Sequence, residues 1–147
     1  MNRLFAGAAV ASLALASGAV AKPPAHNFRA VLQPAGATSP GPTGHAELND
    51  GKQNDMISVH VRGLQPGATY TWHLHRQVVC IAAPCNPPEE PGWIYKPLRA
   101  NKAGNANAKG TSYSFAADPG ATYIVDVHDA SGNTVAQGTF TSKQRKP

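Results

Sequence analysis

After Ala21 no stretch of the chain carries a sustained 3.6-residue apolar period, whereas alternation with a period of two recurs. Met56–Arg62 places Ile57, Val59 and Val61 on one face, with Ser58, His60 and Arg62 on the other. Gly63-Leu-Gln-Pro-Gly67 predicts a turn. Thr69–His75 then alternates again, with Tyr70, Trp72 and Leu74 facing inward. Tyr123, Val125 and Val127 share a third apolar face, and Asp129–Asn133 predicts a tight turn into a strand over Thr134–Thr141. Weaker strand patterns cover Asn27–Gln33, Gly44–Leu48, roughly Leu98–Ala108 and Thr111–Phe115. Seven or eight short strands punctuated by Gly, Pro and Asn predict an all-β fold, an antiparallel sandwich or barrel.

One segment breaks this rhythm. Residues 77–97 hold Cys80, Cys85, five prolines, the pair Glu89-Glu90, and Trp93 with Tyr95. A long irregular insert in a compact domain is ordinarily functional or disordered, and the aromatics and cysteines argue for order here. Glu89 and Glu90 are adjacent, so they point apart in an extended chain and read as solvated. The tail from Ser142 to Pro147 reads as a frayed terminus.

Composition changes the picture in two ways. With 14 Gly and 13 Pro in 147 residues and 41% hydrophobic side chains, the chain is a turn-rich single domain. A coiled coil, a multi-domain enzyme and a polytopic membrane protein are excluded. The amino terminus is the second point. Met1-Asn2-Arg3, an apolar run from Leu4 to Val20 diluted by Gly and Ser, and Ala19-Val20-Ala21 before Lys22 have the order of a secretory signal peptide. Cleavage after Ala21 leaves residues 22–147 as one periplasmic or secreted domain with no transmembrane segment. In that oxidising setting Cys80 and Cys85 predict a local disulfide, with a two-thiolate metal site as the alternative. The net charge of +5 does not indicate a nucleic-acid partner, because the Lys and Arg are scattered and export removes the chain from it.

Six histidines in so short a chain are the main chemical signal. His73 and His75 are two apart on a strand, so they share a face, about 6.8 Å apart at ~3.4 Å per residue. That face is opposite Tyr70, Trp72 and Leu74, so core packing does not account for them. His128 likewise lies opposite Tyr123, Val125 and Val127, with Asp126 beside it. Three neutral imidazoles suit copper or zinc and disfavour calcium or magnesium, which take oxygen ligands. The alternative is three solvated strand histidines that never meet. His60 reads as solvated, with a fourth-ligand role only if its strand adjoins the site. His26 is close behind Pro23-Pro24, and His45 opens a strand without further signal.

From Phe28 to Phe140 the chain resembles the copper/zinc superoxide dismutase family. Phe28-Arg-Ala-Val-Leu-Gln-Pro-Ala-Gly36 resembles the family's first strand. Gly63-Leu-Gln-Pro-Gly-Ala-Thr-Tyr-Thr-Trp-His73-Leu-His75 resembles its Gly-Leu-x-x-Gly-x-His-Gly-Phe-His-x-His segment. Val125-Asp-Val-His128 resembles its late Val-Val-His strand, and Val135-Ala-Gln-Gly138 its closing Ala-Cys-Gly. The resemblance implies a Greek-key β-barrel, for which this enzyme is a standard example. It also implies that His73, His75 and His128 fall on three of the family's four copper ligands. The departures carry equal information. No His lies between His75 and Lys102, where the family's bridging His and zinc ligands would fall, so zinc is not expected. Gln137 stands at the family's carboxyl-terminal cysteine and Thr134 at its active-site Arg, and the electrostatic loop is reduced to the turn 129–133. The chain also resembles a chordin-repeat type domain, which has a His-x-His strand and a late Val-x-x-His strand.

The resulting expectation is an exported copper-binding protein of superoxide dismutase-like fold. One copper ion would be held by His73, His75 and His128, with weak superoxide dismutation as the activity that the resemblance implies. Two further readings stay open. One is a copper store or buffer without turnover. The other is a metal-free structural or adhesive β-sandwich of the cell envelope, with contacts made by Trp93, Tyr95 and the proline-rich loop.

Overall fold

The computed structural model describes residues 27–36, 40–51, 55–77, 88–118 and 120–142. The expected signal peptide 1–21, His26, the Cys80–Cys85 pair and residues 143–147 lie outside the described residues. Among the described residues there are ten strands and no helix: β1 (Asn27–Pro34), β2 (Thr43–Asn49), β3 (Asp55–Arg62), β4 (Thr69–Gln77), β5 (Trp93–Tyr95), β6 (Leu98–Arg99), β7 (Ala106–Ser112), β8 (Thr122–His128), β9 (Thr134–Thr139) and β10 (Thr141–Ser142).

All strand pairs are antiparallel, and nine strands follow one another as β5-β7-β3-β2-β1-β9-β8-β4-β6, with β10 beside β1. The sheet curls into a half-barrel, and its two ends are tied together near Lys96. The Trp72 indole N–H of β4 donates to the Lys96 carbonyl at 2.7 Å, while the Lys96 N–H donates to the Lys109 carbonyl of β7 at 3.1 Å. Gly110 makes this closure possible. A Cβ there would lie 2.9 Å from the Tyr95 ring and 3.0 Å from the Trp72 ring.

The period-two reading is what builds the core. Ile57, Val59 and Val61 are buried, as are Tyr70, Trp72 and Leu74, and Tyr123, Val125 and Val127. Phe28, Ala30 and Leu32 from β1 with Ala46 and Leu48 from β2 complete the inner face. Each large apolar side chain buried this way contributes roughly 1.5–3 kcal/mol. The opposite face of every one of these strands is thereby free to carry polar chemistry.

Four expectations change. The single strand expected over Leu98–Ala108 is two strands, because Asn101 makes a tight turn between them. Its side-chain oxygen accepts the N–H of Ala103 and of Asn105, and its carbonyl accepts the Gly104 N–H. Thr111 and Ser112 finish β7 instead of starting a new strand, since the Ser112 hydroxyl accepts the N–H groups of Ser114 and Phe115 and turns the chain. The 77–97 segment contains β5, and Thr141–Ser142 pairs with Arg29 and Phe28, so Ser142 belongs to the sheet and not to a frayed tail.

Candidate metal centre

The outward faces of β4 and β8 meet as a cross-strand patch. In the β4–β8 register Thr71 lies opposite His128, His73 opposite Asp126, and His75 opposite Ile124. Directly opposed side chains on one face of an antiparallel pair are the closest neighbours a sheet offers. His73 and His75 on one strand, with Asp126 and His128 on the other, therefore converge by register alone. One ligand-capable atom from each of these four residues lies within 4.8 Å of every other. This cluster could hold a metal ion.

The contacts inside it are specific. His75 Nε2 lies 3.0 Å from the Asp126 carboxylate, and His128 Nε2 lies 3.2 Å from it. Asp126 thus sits between two imidazoles, and its side chain is only 13% exposed. The Thr134 hydroxyl lies 3.3 Å from His128 Nδ1, where it can accept the Nδ1–H and leave Nε2, on the Asp126 side, to a metal. On the other side His73 Nδ1 lies 3.3 Å from Glu89 Oε1. His73 and His128 therefore each have a polar partner outside the four-residue cluster, the arrangement that fixes ring orientation in metal centres. The β8–β9 register shifts between Val127 and His128, so His128 lies opposite Thr134 at the edge of the cluster.

Tyr95 flanks the site alongside β4. Its ring packs edge-on against His73 at 5.5 Å and against Trp72 at 4.8 Å. Its hydroxyl accepts the Leu74 N–H at 3.0 Å. Burial pushes the phenol well above its ordinary pKa, so it stays neutral and acts as a fixed wall. The Glu90 N–H donates to the Leu74 carbonyl at 2.8 Å, which brings the 88–90 segment alongside β4 and sets Glu89 over His73. The cluster opens into a cavity of about 710 Å³ also lined by Thr71, Ile124, Thr134 and Gln137.

As the sequence suggests, His73, His75 and His128 come together. His60 and His45 do not join them. They lie opposite each other on β3 and β2, whose neighbours are β7 and β1, away from the β4–β8 patch. Two site residues carry no ligand assignment from the sequence. Asp126 shares the outward face with His128, two residues away, and that spacing was the available signal. Glu89 read as solvated; it remains 55% exposed yet reaches His73, and only the course of the 88–90 segment shows this. Trp93 and Tyr95, expected as exposed contact residues in the adhesive reading, turn toward the core, and Ile94 between them is exposed.

The chemistry of the donor set fits a transition metal. Three imidazoles and one carboxylate suit the later first-row divalent ions, and an oxygen-seeking cation such as magnesium would want more carboxylates. No protein-family model matches the chain, and no curated protein matches it.

Proposed function

We propose that this chain is an exported copper-binding protein of superoxide dismutase-like, Greek-key fold, able to turn over superoxide slowly. The observation that carries the reading is the convergence of His73, His75 and His128 within one 4.8 Å cluster. Those three positions are the ones that the resemblance assigns to copper. The strand order supports the Greek-key part. The chain lays down β1, β2 and β3 side by side, crosses to the far end for β4, returns to β3 with β7, and places β8 between β4 and β9.

Copper is favoured because it binds nitrogen-rich sites more tightly than its neighbouring divalent ions. His73, His75, His128 and Asp126 would hold it, and the ion would supply the one-electron couple that dismutation requires. The chain's own residues do the remaining work. Asp126 places a negative charge between two ligands and Thr134 holds the His128 ring. Glu89 orients His73, and the Tyr95 ring packs against it. Thr134 stands where the family carries a guiding Arg, so nothing at that position draws in an anion. Turnover then stays far below the diffusional ceiling of about 10⁸–10⁹ M⁻¹s⁻¹.

The test is to load the processed chain with copper, remove the excess, and measure bound metal and superoxide consumption on the same sample. Near-stoichiometric copper with slow dismutation is expected, and His75→Ala should remove both while the fold persists. Stoichiometric copper without any turnover would make the protein a store or buffer. No retained copper would overturn the metal reading and leave the metal-free envelope module.

A further inference from the structure

A second pair of histidines occupies the outward face of the other half of the sheet. His45 on β2 and His60 on β3 are directly opposed in the register, and their rings stack at 4.7 Å with an interplanar angle of 17°. The same transverse row continues to Asn107 on β7 and to Val31 on β1. Their strand partners are all sheet neighbours, so the row stands on hydrogen-bonded backbone and not on a loop.

The hydrogen bonding assigns the nitrogens. His60 Nδ1 lies 2.7 Å from the Asn107 side-chain oxygen, which can only accept, so Nδ1 is the donor in this contact and Nε2 is the nitrogen that a metal could use. His45 is held neutral more readily than an ordinary imidazole. Desolvation is the larger cause, followed by the charge of His60 and of Arg29, with Glu47 acting in the opposite sense and Arg62 adding to the depression. The two imidazoles, side by side, border an open cavity of about 570 Å³ whose other polar lining includes Gln33, Asn101, Asn105 and the cationic Arg62. No apolar packing role explains the pair, because the inward neighbours Ala46, Val59 and Val61 carry the core.

We propose that His45 and His60 form a second metal-docking site, a cross-strand two-imidazole chelate for a borderline divalent cation such as Cu²⁺, Ni²⁺ or Zn²⁺. Two nitrogens on one ion at ~2.0–2.1 Å each must come within about 4 Å of one another. Opposed residues of an antiparallel pair have Cβ atoms about 4.5–5.5 Å apart, so the two rings can reach one ion once they turn out of the stack. The remaining positions on the ion are left to water or to an oxygen of a small ligand in the cavity. With two protein donors against four, this site is the weaker of the two. Its occupation does not depend on the His73 cluster, because the two share no residue.

The experiment is a calorimetric titration of the processed chain with Zn²⁺, and with Cu²⁺ in a weakly competing buffer, at pH 7.5. The wild type should show two classes of site. His45→Ala should lose the weaker class, with affinity falling at least tenfold, and keep the tighter one. His75→Ala should do the reverse. His60→Ala serves as the second variant should His45→Ala fold poorly, and in the wild type the ring signals of His45 and His60 should respond in NMR spectra to the second equivalent of Zn²⁺. A weaker class that survives both His45→Ala and His60→Ala, or a wild type with one class only that leaves the His45 and His60 ring signals unmoved, would overturn the proposal. A wild type whose single class perturbs only the His45 and His60 ring signals would instead count against the His73 cluster and leave this site standing as the sole one.

Discussion

Replacing Asp126 by Asn separates a four-donor centre from the three-histidine site that the sequence predicts. The change is nearly isosteric, and Asn can still hydrogen-bond to His75 and His128, now at 3.0 and 3.2 Å from the carboxylate. What disappears is one negative charge within 4.8 Å of every other donor atom. Taking that separation as the outer limit for an ion seated among the donors, with an effective dielectric constant of about 20, two unit charges interact by about 3.5 kcal/mol. A divalent ion doubles the figure, and allowing screening to remove half leaves about 3.5 kcal/mol. At about 1.4 kcal/mol per tenfold, metal affinity should fall between roughly 10²- and 10³-fold. Outer-shell partners cost only about 10–100-fold when removed, so the upper part of that range marks a ligand. The assay is a competition titration of Cu²⁺ and Zn²⁺ against a chromophoric chelator, with the metal-free melting temperature measured on the same samples. Metal-free stability should change by less than about 1 kcal/mol, since the hydrogen bonds are kept in neutral form. Unchanged affinity would refute the reasoning and return the site to three histidines. Affinity and melting temperature falling together would show that Asp126 holds the sheet rather than the ion.

Other consequences are open to direct measurement. Gly138→Ala would put a Cβ 2.6 Å from the Val31 carbonyl oxygen, and should cost about 1–3 kcal/mol in denaturant unfolding as β9 shifts off β1. A change below about 0.5 kcal/mol would mean that the two strands are more loosely apposed than described. Trp72→Phe removes the 2.7 Å bond to the Lys96 carbonyl and should cost about 1–3 kcal/mol, with faster hydrogen exchange at the Lys96 amide; unchanged exchange would show that this bond does not close the sheet. His45 takes up a proton less readily in the fold than in the unfolded chain, whose imidazole titrates near 6.5. Its penalty is therefore absent above that pH and grows as pH falls through and below it. Urea midpoints should drop less steeply between pH 7.5 and 5.5 in His45→Gln than in the wild type, and parallel curves would contradict the shift. Tyr95→Phe leaves the Leu74 N–H without its acceptor and should weaken both fold and metal retention; a variant that matches the wild type in both would deny Tyr95 its role beside His73.

The fold was legible because burial on a sheet follows a period of two that side-chain chemistry writes directly into the sequence. Alternation assigns Ile57, Val59, Val61, Tyr70, Trp72, Leu74, Tyr123, Val125 and Val127 inward, and all are buried. Alternation fails where a strand is short or ends on a side-chain hydrogen bond. Asn101 and Ser112 stop strands by capturing backbone N–H groups, and neither residue differs in polarity from neighbours that continue a strand. β5 and β6 are three and two residues long, below the length at which alternation can be seen.

The site was legible to the extent that it depends on facing, and illegible where it depends on pairing. Facing is local: His73 with His75, and Asp126 with His128, are fixed to one side by spacing alone. Pairing is not local. That β4 lies beside β8, in the register that sets His73 against Asp126, joins residues 53 positions apart, and nothing in either strand names its partner. A one-residue slip would have turned one pair of donors into the core, so the buried faces of Trp72 and Val127 enforce the register that the polar faces use. Asp126 therefore had the same claim as His128 once β8 was read as a strand, because any donor two residues from a candidate ligand shares its face. Glu89 had no such claim. It reaches His73 from a segment outside β4 and β8, held against β4 by the backbone bond of Glu90 to Leu74, and a contact of that kind is decided by the path of the chain and not by its pattern.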